Sequence, residues 1–152
     1  MTAYKLKIRW SKDYNIEEAL EHDDKDYEYI YMALRKRKYR GSVRYRILYI
    51  GMTYYQYLSD RLRSHHKFWV IIEDQYGKGE VVVRFGNIIL PPQRRISEKL
   101  VRDVEAALIQ KVKPEYNQMG TFAYRGRELK ITNLGKYTPL PRTINTEDWW
   151  KI

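Results

Sequence analysis

Cysteine is absent from the 152-residue sequence. Its absence excludes a disulfide framework and any zinc or iron–sulfur site built on cysteine ligands. Apolar runs are short, since none approaches the ~18 residues that a membrane-spanning helix requires. Residues 1–10 alternate charged and apolar side chains and lack the apolar stretch of a signal peptide. We therefore expect an intracellular protein, in the cytoplasm or nucleoid of a host cell, that has no membrane partner.

Acidic residues are outnumbered by basic ones. The sequence has 29 Lys and Arg against 19 Asp and Glu, a formal charge of +10, while 43% of its residues are apolar, enough for one core. The two signs are segregated, with seven acids in residues 17–28 and ten bases in residues 35–67, where Asp60 is the one acid. A basic surface favours a polyanionic partner, because neutralised phosphates release their counterions. Nucleic acid is the expected partner.

Hydrophobic periodicity and turn residues divide the chain into short elements. The pattern predicts strands at 4–10, 27–34, 44–50 and 80–90, with a basic hairpin loop at 35–43 and a turn at 76–79. It also predicts a short helix capped by Asn15 and a helix after a capping box at 53–56, with an extension or second piece at 67–73. A long helix at 98–112 is capped by Ser97 and ended by Pro114.

These elements predict an α/β (α+β) fold with a small antiparallel central sheet flanked by helices. We divide the chain into an N-terminal extension (1–26), a central domain (27–119) and a C-terminal appendage (120–152) that packs on the domain. The appendage holds three prolines and Trp149-Trp150, and we expect it to be irregular.

Several candidate functional residues lie at the ends of these elements or along them. Tyr49-Ile50-Gly51 closes a strand before a capped helix, and Arg61 and His65 are four apart, so they project side by side. Glu105 lies near the border of an apolar helix face, and Asn117 follows the end of that helix. Each has an ordinary alternative, respectively a strand end, a solvated cation, a paired glutamate and a turn.

Taken together, these residues resemble the GIY-YIG nuclease family over roughly residues 27–117. Ile30-Tyr31 stands for the end of the first motif and Tyr49-Ile50-Gly51 for the second. Glu105 and Asn117 are twelve positions apart, which is similar to the restriction and repair branches. There are two departures from the family pattern. Tyr29 replaces the first motif's glycine, so that Tyr29 and Tyr31, expected on one strand face, both remain candidates. The two motif tyrosines are also 18 residues apart, more than is usual.

The resemblance implies a metal-dependent endonuclease that hydrolyses phosphodiester bonds in DNA, with double-stranded DNA as the expected substrate. It implies Tyr31 as the general base, Arg61 as the phosphate clamp and Glu105 as the ligand of a single Mg²⁺ (or Mn²⁺). Tyr49 and His65 would orient the water or the base, and Asn117 would fix loop geometry or contact a phosphate oxygen. One site per chain cuts one strand, so double-strand cleavage would require a homodimer or sequential nicks.

The basic segment around the predicted hairpin is the candidate nucleic-acid surface, with a solvated loop as its alternative. The candidate contacts are Arg37, Lys38, Arg40, Arg44, Arg46 and Arg63. Two further readings of the whole chain stay open at this point. One is a catalytically inactive nucleic-acid-binding module on the same scaffold, and the other is a basic RNA- or ribosome-associated protein whose motif match is accidental.

Overall fold

The computed structural model describes residues 3–22, 29–54, 58–117, 124–147 and 149. In chain order the elements of this part are β1 (Tyr4–Trp10), α1 (Ile16–Leu20), β2 (Ile30–Tyr39), β3 (Ser42–Met52), α2 (Leu58–Ser64), α3 (His66–Gln75), β4 (Glu80–Ile89), α4 (Glu98–Val112), β5 (Leu129–Gly135) and β6 (Thr143–Asn145).

The described strands form one six-stranded sheet in the order β3-β2-β4-β1-β5-β6, so β3 is an edge strand. Neighbouring strands pair antiparallel, except for β1 and β5, which pair in parallel from Tyr4↔Leu129 to Trp10↔Gly135. The prediction of a mixed α+β protein is confirmed at this level. The sheet is larger than predicted and mixed, because strands from both ends of the sequence join it.

Two predictions about irregular structure were wrong. Residues 35–43 are not a long loop, because β2 and β3 continue to Tyr39 and from Ser42 and leave a two-residue turn, Arg40-Gly41. Both turn residues have positive φ (49° and 80°), as the tightest β-hairpins require. Part of residues 120–152 is also regular, since β5 and β6 extend the sheet. The alternating burial of β5 is the period-two signal of a strand.

The sheet separates two layers of apolar side chains. The layer on the face that we call the α4 face includes Ile30, Met32 and Leu34 of β2 together with the buried stripe of α4. The opposite face, which we call the α3 face, carries Tyr31 and neighbouring residues beneath α1, α2 and α3. Helix α4 begins where the Ser97 side chain accepts a hydrogen bond from the Leu100 amide (3.1 Å).

Within the edge strand β3, a register shift places Tyr49 on the α3 face. The β2–β3 pairing moves from Leu34↔Ile47 to Ala33↔Tyr49, which leaves Leu48 as the extra residue of a bulge. Tyr49 and Tyr31 thereby lie on the same face of the sheet, because Ala33 and Tyr31 are two apart on one strand. The outer edge of β3 lies between the α3 layer and α4, and the candidate site is built there.

Candidate active site

The position of the Tyr31 ring explains why residue 51, the last of Tyr49-Ile50-Gly51, is a glycine. Tyr31 and Gly51 are directly opposite in the β2–β3 pair, and a Cβ added to Gly51 would lie 2.4 Å from the Cζ atom of the Tyr31 ring. No real Cβ tolerates such a contact, so the ring can lie flat across the strand only where residue 51 has no side chain. The two motifs are thus parts of one packing arrangement.

Gly51→Ala is therefore expected to destabilise the fold by about 1–3 kcal/mol, the usual range for overpacking a core. The Tyr31 side chain must move to make room, so in a Tyr31→Ala background the same change should be much less destabilising. Urea unfolding of the wild type, both single variants and the double variant measures this coupling. Additive losses in the double variant would show that the two residues do not compete for one space.

Of the two candidate tyrosines, Tyr31 is the one that lies beside Tyr49. Its side chain is fully buried on the α3 face, and its ring centroid lies 6.2 Å from that of Tyr49. Tyr29 lies elsewhere, packing against the α4-face core and 5.9 Å from the Tyr54 ring. The expectation that Tyr29 and Tyr31 share a strand face was wrong, because β2 begins only at Ile30 and strand alternation does not extend to Tyr29.

The Tyr31 hydroxyl is buried and has no hydrogen-bond partner among the described residues. An unsatisfied buried hydroxyl is costly, and such groups mark places where a ligand or water completes the structure. Burial raises the pKa of Tyr31 well above its usual value; Tyr49 raises it further, Arg61 opposes the increase, and Glu105 adds to it. The phenol is therefore protonated at neutral pH.

Tyr49 and His65 form a hydrogen-bonded pair beside Tyr31. The Nε2 atom of His65 lies 3.2 Å from the Tyr49 hydroxyl, and the two rings meet edge to face. Burial lowers the pKa of His65 to about 4, and the nearby charges of Arg61 and Lys67 contribute to the decrease. At neutral pH the imidazole is uncharged and retains a lone pair on one ring nitrogen.

Glu105 approaches the same place from α4. A cavity of about 200 Å³ lies at the β3 edge, and it is lined by Tyr49, His65, Lys67, Glu105, Ile109, Tyr116 and Asn117. Burial raises the pKa of Glu105 to about 7, although Arg102 and Arg61 pull it in the opposite direction. A carboxyl held away from water in this way gains most from a bound cation, which would restore its charged form.

Arg61, half-buried on α2, is near enough to these groups for its charge to affect the pKa of each. Its positive charge partly opposes the burial that raises the pKa values of Tyr31, Tyr49 and Glu105, and it adds to the burial that lowers the pKa of His65. No carboxylate of the described residues lies within 4 Å of it to form an ion pair. A guanidinium without an anionic partner, in a partly desolvated site, suits a phosphate group.

Asn117 is buried, and both ends of its amide bind the backbone of the edge strand. Its Oδ1 atom accepts from the Ile50 amide (2.9 Å) and its Nδ2 atom donates to the Ile50 carbonyl (2.9 Å). The side chain thus replaces a missing neighbouring strand at β3. This arrangement fixes the position of residues 49–51, and it uses one of the two N–H donors of the Asn117 amide.

The residues that could hold a metal ion are few. Within the described ranges there is no cluster of three or more His, Asp or Glu side chains. Among the described residues that line the cavity, the Glu105 carboxylate is the one acidic donor, and it lies beside the His65 imidazole and the Tyr49 hydroxyl. This set fits magnesium, which usually keeps several waters and takes only one or two protein carboxylates together with substrate phosphate. It does not resemble a site enclosed by protein ligands.

Four arginine side chains of the basic hairpin leave the sheet on the same face as Tyr31 and Tyr49. Arg35 is directly opposite Arg46, and Arg37 is opposite Arg44. Like charges in such positions repel. The guanidinium groups of Arg40 and Arg44 lie 5.3 and 4.7 Å from the centre of the exposed Tyr39 ring.

The structure does not bring all six predicted contact residues to one surface. Lys38 points to the opposite face of the hairpin from Arg37. Arg46 lies 3.9 Å from Glu115, and both side chains are exposed. Arg63 is on α2 and donates from Nε and Nη2 to the Leu20 carbonyl (3.1 and 2.6 Å). Arg63 therefore joins α2 to α1 and does not belong to the hairpin surface.

Two polar residues of the cavity, Lys67 and Tyr116, were missed by sequence reasoning. Lys67 donates to the Tyr116 carbonyl (3.1 Å), and the Tyr116 hydroxyl contacts Gln75 and Asp74. Nothing in the sequence distinguished Tyr116 among fifteen tyrosines. Its place in the cavity follows from the turn after α4, where its backbone amide binds the Leu48 carbonyl (2.9 Å).

No protein family model, no curated protein and no solved structure matches this chain. In the part of the chain described by the structure, none of the helices is both long enough and apolar enough to span a membrane.

Proposed function

We propose that this protein is a magnesium-dependent endonuclease of the GIY-YIG type that hydrolyses phosphodiester bonds in DNA. The observation that supports this most strongly is the convergence of Tyr31, Arg61 and Glu105. They come from strand β2 and two helices, yet the charges of Arg61 and Glu105 both affect the pKa of Tyr31. A carboxylate, a guanidinium and a hydroxyl that have no ion-pair or hydrogen-bond partner between them among the described residues suit phosphoryl transfer around a phosphate.

Arg61 is the phosphate clamp of this proposal. Its donors bind the non-bridging oxygens and oppose the negative charge that grows on them during the reaction. Glu105 would hold the single magnesium ion, which would supply further positive charge against the same oxygens. Asn117 contributes indirectly, because it fixes the backbone that carries Tyr49 and Gly51.

Tyr31 and His65 are the two candidate bases of the site. A bound phosphate raises the pKa of both, which makes Tyr31 harder to ionise and His65 a stronger base. An anionic phosphate beside Tyr31 makes its phenolate still less favourable, so this residue acts as a base only if positive charge outweighs its burial. The same phosphate offsets Arg61 and thereby makes His65 more basic. The His65–Tyr49 pair, already hydrogen-bonded, is therefore the second route for the proton of the attacking water.

Incubation with supercoiled plasmid tests the proposal. We expect nicked circles in the presence of Mg²⁺ or Mn²⁺ and none in EDTA, with nicks preceding linear product, because one site cuts one strand. A steeper than linear dependence of linearisation on protein concentration would indicate a homodimer. Plasmid that stays supercoiled with either metal, while still being bound, would instead identify an inactive binding module.

A further inference from the structure

A second basic surface lies on the part of the sheet farthest from the hairpin. Along β1, the buried residues Leu6, Ile8 and Trp10 alternate with exposed basic ones. We call the exposed cations of β1 and β5 the lysine face, and its members are Lys5, Lys7, Arg9 and Lys130. The alternation shows that these side chains all leave the sheet on the side opposite the α4-face core.

The lysine face is of one sign and forms one side of a groove. Lys5 is next to Lys130 in the parallel β1–β5 pair, and Lys7 is next to Thr132. No carboxylate of the described residues lies within 4 Å of any of the four cations. A cavity of about 450 Å³ is lined by Lys5, Lys7 and Lys130 together with the segment 89–92, which ends in Pro91-Pro92. A solvated sheet face usually mixes charges, because adjacent like charges repel.

The strand register relates this surface to the candidate site. Phe85 of β4 is opposite Tyr31, and Ile89 of the same strand is opposite Lys7, so these side chains share the α3 face. At ~3.4 Å per residue, the row of Lys7 is ~14 Å from the row of Tyr31 along the strands. The row of Arg37 is ~20 Å from Tyr31 in the other direction. The candidate site therefore lies between two basic surfaces.

We infer that the lysine face binds the phosphate backbone of the nucleic-acid substrate outside the cleavage pocket. This inference rests on the proposed function and adds a second contact region to it. Charge complementarity favours a polyanion, and the hydroxyl of Thr132 with the amide of Asn87 on the same face adds the neutral donors that commonly bind phosphate oxygens. The contact is independent of sequence, because backbone phosphates carry no base information.

The test is the salt dependence of binding to a duplex of about 20 base pairs, ~68 Å long and so longer than the ~34 Å between the rows of Arg37 and Lys7. Titrations in EDTA compare the wild type with the triple variant Lys5→Gln/Lys7→Gln/Lys130→Gln. Each lost phosphate contact lowers the slope of log affinity against log salt by ~0.9, so we expect a slope smaller by about 2–3 and binding at least about tenfold weaker.

A matched triple variant at α4 and the residue that follows it, Lys99→Gln/Lys111→Gln/Lys113→Gln, removes the same net charge from exposed positions and should keep the wild-type slope. Equal slopes for the two triple variants would overturn the inference. It would also fail if the lysine-face variant lost affinity for phosphatidylserine vesicles while its DNA slope stayed unchanged. Because the titration needs no cleavage, a slope difference without plasmid nicking would support the inference and defeat the endonuclease proposal, and nicking with equal slopes would do the reverse.

Discussion

Glu105→Gln is expected to reduce metal-dependent cleavage by on the order of 10³-fold, the usual loss when one preorganised charge is removed from an active site. Binding of DNA in EDTA should remain within about twofold of wild type, because the basic surfaces that carry affinity do not include this residue. The measurements are plasmid nicking at saturating Mg²⁺ and a binding titration in EDTA. A variant that cuts at the wild-type rate would show that Glu105 is not the metal ligand.

The same substitution is expected to increase the stability of the metal-free protein, although it removes activity. Burial raises the pKa of Glu105 from 4.5 to about 7, so the folded protein disfavours the carboxylate. A carboxyl with a raised pKa destabilises the fold progressively as pH rises from about 4.5 to about 7, by about 3 kcal/mol once ionised. Without metal, the Glu105→Gln variant should therefore melt several degrees higher than wild type at pH 8 and at a similar temperature at pH 4.5.

Metal addition and a control on the same helix complete the experiment. Mg²⁺ should raise the melting temperature of the wild type and leave that of Glu105→Gln unchanged. Glu98→Gln removes an exposed carboxylate from the first turn of α4, where it pairs with Arg102 at 2.9 Å. This control should retain cleavage and show no stabilisation at pH 8. A gain in stability together with a loss of activity is a combination that simple misfolding does not produce.

The sequence predicted the elements whose signals are local. Helix α4 begins after Ser97 and ends at Val112, as predicted, because a capping side chain, an apolar stripe and Pro114 all act within a few residues of each other. Strand β1 and the Asn15 cap of α1 are also confirmed for this reason. The capping box predicted at 53–56 reaches outside the described residues.

Signals between distant parts of the chain were missed. The basic segment 35–43 was assigned to a loop from its polarity, but β2 pairs with β4 as far as Lys36↔Glu80, and this ladder extends the strand. The parallel pairing of β1 with β5 joins residues more than a hundred positions apart, and no local pattern indicates it. The convergence of Arg61 and Glu105 was expected only from the family resemblance, since periodicity alone placed them on separate helices.

Arg84 is the clearest case of a long-range interaction that the sequence concealed. It interrupts an apolar strand, its side chain is completely buried, and its Nε atom donates to the Asp13 carboxylate at 2.7 Å. Its Nη1 atom donates to the Lys136 carbonyl at 2.8 Å. Asp13 also accepts from the Tyr45 hydroxyl (2.6 Å) and from Lys136 Nζ (2.9 Å). One carboxylate thus joins the loop after β1 to β3, β4 and the end of β5.

Asp13→Asn is therefore expected to destabilise the fold by about 3–5 kcal/mol, the usual loss when one partner of a buried ion pair is removed. The cause is the Arg84 charge, which would stay buried without a counterion. Urea unfolding at pH 7 gives the magnitude. The double variant Asp13→Asn/Arg84→Met should recover part of the loss, because an uncharged pair leaves no buried ion. Glu73→Gln, an exposed substitution on α3, is the control and should change stability by no more than about 0.5 kcal/mol.

The dependence on pH separates this charge effect from a general loss of packing. Burial by itself would raise the pKa of Asp13, but the hydrogen bonds from Tyr45, Lys136 and Arg84 outweigh it and lower the pKa to about 2. A carboxyl with a lowered pKa stabilises the fold above its unfolded value, and this contribution is lost as pH falls from about 4 towards 2. Wild-type stability should fall across that interval, whereas Asp13→Asn should show a shallower decline. If the two curves of stability against pH were parallel, Asp13 would stabilise the fold through packing and neutral hydrogen bonds alone, because only an ionised carboxylate can respond to pH in this way.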